Sequence, residues 1–190
     1  MTLLDQVRTE IGSRPSYPLA LAAGFVALDI VTRLLPQSLN CTAVAATALL
    51  AGTLFESRLL AAVVPFAGMA LSEPFLRSED WRILAVVYAA LCAPAAIGHW
   101  ARQYRRTFVL LPLACAGSLL FFVASNFAVW TFTDLYAHGI RGLIACYVAA
   151  LPFLRNTILG DLTWLAALLA GLSIGRHIGA IRPALALRRT

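Results

Sequence analysis

Two ionisable residues four apart, Asp29 and Arg33, sit inside an otherwise apolar stretch of this chain. The i, i+4 spacing puts both on one face of a helix. There they either neutralise each other as a local ion pair or form one wall of a polar pocket. Asn126 and Trp130 repeat the spacing further along. An amide offers both donor and acceptor, and an indole offers a flat stacking surface. Trp130 also suits an aromatic belt at a membrane edge, whereas Asn126 would be costly in lipid and should face inward. Arg155, Asn156 and Asp161 form a third group. Asp161 either gains from the positive end of a helix that begins beside it or faces a ligand. Glu73 in LSEPF and Asn40 in PQSLNC complete the set. Asn40 equally suits the cap of the helix that follows it.

The chemistry these residues suit is recognition. The histidines His99, His138 and His177 are far apart in sequence, and no nucleophile–base pair or metal-ligand spacing is spelled out. Cys41, Cys92, Cys115 and Cys146 are scattered through apolar context, as small buried hydrophobes would be. No metal site and no cofactor is expected. An intramembrane enzyme would have to combine Asp161, Glu73 or Asp29 with a histidine. An assembly factor without a ligand would need no deep pocket.

The segments that carry these residues identify their solvent. Thr107–Thr133 runs for 27 residues without a charge, and Leu34–Phe55 and Ile83–Ala101 are likewise free of Asp, Glu, Lys and Arg. A helix crossing the hydrocarbon core needs about 20 apolar residues at a rise of about 1.5 Å each. Hydrophobic residues make up 61% of the chain and charged ones 13%, against about 45–50% and about 25% in soluble proteins. The fold class is therefore all-α, a polytopic membrane helix bundle. Spans are expected at Tyr17–Leu35, Thr42–Phe55, Arg58–Leu76, Asp80–Trp100, Phe108–Thr131 and Asn156–Ile178, with Pro65 as a kink in the third. Gly142–Leu154 offers only 13 uncharged residues. That predicts a re-entrant or half-helix before the last span, the alternative being a seventh span. Residues 1–16 then form a cytoplasmic N-terminal segment without a signal peptide, 17–178 the bundle, and 179–190 a basic cytoplasmic tail.

All 15 basic residues are Arg, and they fall at span ends. Positive charge placed so sets membrane orientation and is not a nucleic-acid face. Six spans put ten of the fifteen arginines on the side of both termini, with RQYRR at Arg102–Arg106 the strongest anchor. Both termini are expected in the cytoplasm. In this topology Arg33, Asn40, Glu73, Trp130, Arg155, Asn156 and Asp161 converge at the outer half, as an outward-open cavity requires. Ala20 with Gly24, and Ala23 with Ala27, give the first span small-xxx-small faces that permit close helix approach.

The strings RLLPQSLNCTAVAATALLAG, SNFAVW and ACYVAALPFLRNTILGDLTW look like those of a poorly characterised bacterial membrane-protein family. That family resembles the substrate-binding S components of energy-coupling factor (ECF) vitamin transporters. The resemblance runs from Arg33 to Trp164. LPF…GDL at Leu151–Leu162 is similar to the entry into the sixth helix of S components, the biotin type included. The Ala23-xxx-Ala27 pair resembles the helix 1 motif by which they dock on the transmembrane coupling subunit. The resemblance implies a six-helix bundle in the bacterial cytoplasmic membrane, an outward pocket for a small nutrient, and partnership with a coupling subunit and ATPases. The residues match no particular vitamin's ligand set. A flat or amphipathic molecule would suit Trp130 and Tyr147, and a metal-containing one such as cobalamin would meet a Cys or His.

Overall fold

The computed structural model describes residues 2–13, 16–35, 41–76, 80–104 and 107–187, with side chains through 177. The described chain is an all-α bundle without a strand: α1 (Leu3–Ser13), α2 (Tyr17–Leu34), α3 (Val44–Leu54), α4 (Arg58–Ser72), α5 (Trp81–Ala101), α6 (Leu110–Phe132) and α7 (Ile140–Leu187). Short 3-10 turns follow α4 at Glu73–Phe75 and precede α6 at Thr107–Val109. Five segments, Tyr17–Leu34, Arg58–Phe75, Trp81–Ala101, Thr107–Phe132 and Ile140–His177, are long and apolar enough to cross a membrane.

The second expected span, α3, is too short to cross alone, at about 16 Å. It is instead the centre of the bundle, buried along its length except at Ala45. Small residues allow this. A Cβ on Gly52 would overlap the Ala95 carbonyl oxygen of α5, and one on Gly98 would overlap the Leu49 carbonyl oxygen of α3. The two backbones therefore meet without a side chain between them.

The N-terminal segment is a helix. Thr2 and Asp5 cap it reciprocally, each backbone N–H donating to the other's side chain at 3.3 Å. Leu4, Val7 and Ile11 share one face and are buried against the main core. Arg8 donates from Nε to the Thr53 carbonyl at 2.8 Å and from Nη1 to the Arg102 carbonyl at 3.3 Å. Arg176 of α7 donates to Glu10 at 2.8 Å and to Gln6. One short amphipathic helix thus ties the ends of α3 and α5 to α7.

The half-helix expected at Gly142–Leu154 is not separate from the last span. Both belong to α7, which runs without a break through Pro152, Arg155 and Asn156. Proline removes one donor and crowds the preceding turn, but no turn residue follows it, and membrane helices tolerate such a step. Ile140–His177 alone has about 57 Å of axis, nearly twice the hydrocarbon thickness. Asn40, Arg14, Arg77, Arg105, Arg106, Arg188 and Arg189 lie outside the described residues.

Candidate functional site

The Asp29–Arg33 ion pair open to the sequence does not form. Arg33 turns instead to the end of α4, donating from Nε to Ser72 Oγ at 2.7 Å and from Nη2 to Glu73 Oε2 at 2.9 Å. Both members of this pair keep less than a fifth of their side-chain surface. Asp29 points into the α2–α3–α4 contact and is fully buried. Thr47 Oγ1 donates to its Oδ1 at 2.8 Å, while Oδ2 has no partner and stands against Gly68. Thr32, one turn on, accepts from the Ala43 N–H at 3.2 Å and fixes the start of α3.

The Arg33–Glu73 pair stands on the rim of a cavity of about 660 Å³, within the range that holds a small organic ligand. Helical spacing builds its walls. α6 contributes Gly117, Phe121 and Ser125, and α7 contributes Phe153, Thr157 and Asp161, each set at i, i+4, i+8 and so on one face. α5 contributes Leu84, Val87, Leu91 and Pro94, and α4 adds Met69. From Leu84 to Pro94 the wall extends about 15 Å along the axis. Gly117 opens the far end, since a Cβ there would already stand 3.3 Å from the Pro94 ring.

Asp161 is the buried acid of this cavity. It is 5% exposed and accepts from Ser118 Oγ of α6 at 2.6 Å. The α7 helix is held in register nearby: Gly160 packs on Cys41, and Trp164 Nε1 donates to the Cys41 carbonyl at 3.1 Å. Asn126 donates from Nδ2 to the Phe122 carbonyl of its own helix at 2.8 Å, leaving its side-chain oxygen for the cavity it lines. The site therefore offers a guanidinium–carboxylate pair at the rim, amide and hydroxyl groups along the wall, and a hydrogen-bonded carboxyl further in. The remaining lining is aliphatic and aromatic.

Four of the sequence candidates thus meet on one cavity: Arg33, Glu73, Asn126 and Asp161. Three others do not line it. Trp130 donates to the Ala137 carbonyl at 3.2 Å and packs on Phe127 and His138, bracing the α6–α7 turn. Arg155 is exposed and Asn156 half-buried. Because α7 is continuous, the residues around Asn156 are mid-helix, where the backbone N–H groups are already used. Asn40 lies outside the described residues. No cysteine or histidine is among the lining residues. Phe153, Thr157, Phe121 and Ser125 are lining residues that single-residue reasoning passes over; their signal is the four-residue repeat shared with Asp161 and Gly117.

Ala20, Ala23, Gly24 and Ala27 all face outward from α2 and are exposed. Nothing lies within 4 Å of where a Gly24 Cβ would be.

The chain belongs to the family of unknown function DUF6580, whose model matches residues 14–179. No curated protein and no solved structure matches it. The family match carries no link to S components.

Proposed function

We propose that this membrane protein binds a small nutrient, a vitamin or vitamin precursor, for uptake, in the manner of an ECF S component. The observation that carries the reading is the cavity of about 660 Å³ between α4, α5, α6 and α7, with a buried carboxyl, an amide and hydroxyls set in an apolar lining. That mixture suits an amphipathic molecule whose donor group reaches Asp161 and whose apolar body lies against Phe121, Phe153 and Met69. Uptake further requires a coupling partner, and the exposed small-residue face of α2 suits a transmembrane subunit driven by ATPases. The chain would sit in the bacterial cytoplasmic membrane with both termini inside. The gathering of Arg8, Arg102 and Arg176 around α1, at the end away from the cavity rim, supports that orientation.

The test is native mass spectrometry of the purified protein released from detergent, beside its Gly117→Leu variant. A co-purifying mass of vitamin size on the parent, absent from the variant whose larger side chain fills the cavity, is the expected result. An empty parent whose thermal stability no vitamin or precursor raises overturns the reading.

A further inference from the structure

Among the described residues, four buried side-chain polar atoms have no hydrogen-bond partner: Arg8 Nη2, Asp29 Oδ2, His99 Nδ1 and Arg102 Nη1. Three of the four are nitrogens at one corner of the bundle. There α1, the turn between α3 and α4, and the end of α5 come together, at the end opposite the cavity rim. Buried polar groups are almost always paired. Two of these orphans, on Arg8 and Arg102, belong to side chains that line one hollow, where a single partner can serve both.

The corner has room for it. Arg8, Ser57 and Arg102 line a hollow of about 300 Å³. Arg58, His99 and Trp100 line a second of about 420 Å³. Ser57 and Arg58 are neighbours in the chain, and Arg58 and Arg102 both lie within electrostatic reach of His99, so the two hollows adjoin. The charge there is unbalanced. No ion pair holds Arg58 or Arg102 among the described residues, and Asp5 Oδ1 stands 3.7 Å from Nη1 of Arg8. Glu56 also lines the first hollow, but it is exposed to solvent. Burial and the facing Arg102 charge hold the Arg8 guanidinium below the ordinary arginine range. An anion seated between the two arginines would relieve that repulsion.

We infer that this corner binds a phosphate-bearing anion, either the headgroup of a membrane phospholipid or free phosphate. Arg8 and Arg102 each bring an orphan guanidinium nitrogen to the hollow that both line. A carboxylate, with two oxygens in one plane, satisfies one guanidinium fork, whereas a phosphate presents oxygens to several. The position suits a headgroup, because α5 leaves its apolar run at Ala101 and the exposed Trp100 marks the interfacial level. Basic pockets between membrane helices take anionic headgroups by this chemistry.

The experiment uses the full chain in an uncharged detergent and follows its thermal unfolding. Phosphatidylglycerol, phosphatidylcholine and inorganic phosphate are added in separate titrations. A ligand that binds only the folded protein raises Tm with concentration. Phosphatidylglycerol should raise it, and phosphatidylcholine much less. Stabilisation by inorganic phosphate that saturates and then blocks the lipid effect assigns the site to the free anion, and stabilisation by the lipid alone assigns it to the headgroup. Arg102→Gln and Arg58→Gln should each weaken the effective ligand about 10- to 150-fold. Arg141→Gln, at the exposed start of α7, should leave it unchanged. Both corner variants should fold, because neither side chain makes a described hydrogen bond, and Arg102→Gln without ligand should be at least as stable as the parent. Equal response to both lipids with none to phosphate, or parent-like affinity in both variants, overturns the proposal.

Discussion

Gly98→Ala should destabilise the protein, although alanine is the better helix former. An added Cβ at Gly98 would overlap the Leu49 carbonyl oxygen and stand 3.1 Å from the Thr53 nitrogen. A relaxed contact needs about 3.5 Å or more. Neither obstacle is a flexible side chain that turns aside; both are backbone of α3. The helices must part by roughly 1 Å, and overpacking of this kind costs about 1–3 kcal/mol, with backbone clashes at the upper end. Replacing glycine in a helix returns about 1 kcal/mol. The net expectation is a loss of about 2 kcal/mol. Gly52→Ala meets the Ala95 carbonyl oxygen and the His99 nitrogen at 2.8 Å, and predicts the same loss. Gly24→Ala is the control: nothing lies within 4 Å of its Cβ, so only the helix gain of up to about 1 kcal/mol remains. The assay is reversible unfolding by denaturing detergent, followed by circular dichroism, on the three variants and the parent. Opposite signs for Gly24→Ala and Gly98→Ala are expected. Equal stabilities would refute direct backbone contact between α3 and α5. Because α5 is also a wall of the cavity, Gly98→Ala should weaken ligand retention as well.

Once a ligand is known, Asp161→Asn and Asn126→Ala should each cost about 1–3 kcal/mol, roughly a 5- to 150-fold loss of affinity, while Trp130→Ala and Arg155→Gln bind like the parent; isothermal titration on monodisperse protein distinguishes the two sets. A double-mutant cycle on Arg33→Gln and Glu73→Gln should show coupling of about 1–3 kcal/mol, since both side chains are largely covered; coupling near zero would return the pair to the class of exposed surface bridges. Asp80 caps α5 and pairs with Arg82 at 2.6 Å, which holds its carboxyl below the ordinary range. Its folded-state preference for the charged form stabilises the protein at neutral pH and is lost only as pH falls through the depressed value, so Asp80→Asn should lower stability at pH 7 and have little effect in strong acid. Ala23→Trp with Ala27→Trp should abolish co-purification with a coupling subunit and leave ligand affinity intact, because both positions face outward on α2.

What the sequence makes legible follows the strength of each physical signal. Long uncharged runs have few solutions, so the membrane helices and the all-α class are readable from composition and length. α1 is readable too, in Leu4, Val7, Ile11 and the Thr2–Asp5 box, but a search for spans passes over 11 residues with charges. The half-helix is misread for a definite reason. Arg155 and Pro152 look like the edge of a span, yet in a helix of about 57 Å, nearly twice the hydrocarbon thickness, a mid-helix arginine need not mark the membrane surface. Once α7 is continuous, the supposed helix N-terminus at Asn156 disappears. With it goes the reading of Asp161 as an acid at a helix N-terminus, while its ligand-facing reading stands, because it reaches the cavity through its own helical face.

Partner choice is the part that local spacing leaves open. Asp29 and Arg33 satisfy the i, i+4 rule, and on an isolated helix they would pair. In the bundle each has a competitor from another helix. Arg33 has Ser72 and Glu73 at the end of α4, with a carboxylate and a hydroxyl fixed at once. Asp29 has Thr47 on the central helix. An exposed helical ion pair contributes about 0.2–0.5 kcal/mol, and a charged hydrogen bond inside the protein, such as those Arg33 makes, about 1.5–3 kcal/mol, so the tertiary partners win for Arg33. The same comparison separates Arg33 from Arg155. Both are single arginines beside an apolar run, but only Arg33 finds a carboxylate on a facing helix and is drawn over the cavity rim, while Arg155 stays exposed on the outer face of α7. A polar residue inside a membrane sequence thus announces that it needs a partner, and the helix that supplies one decides whether it ends in a cavity, a core or the surface.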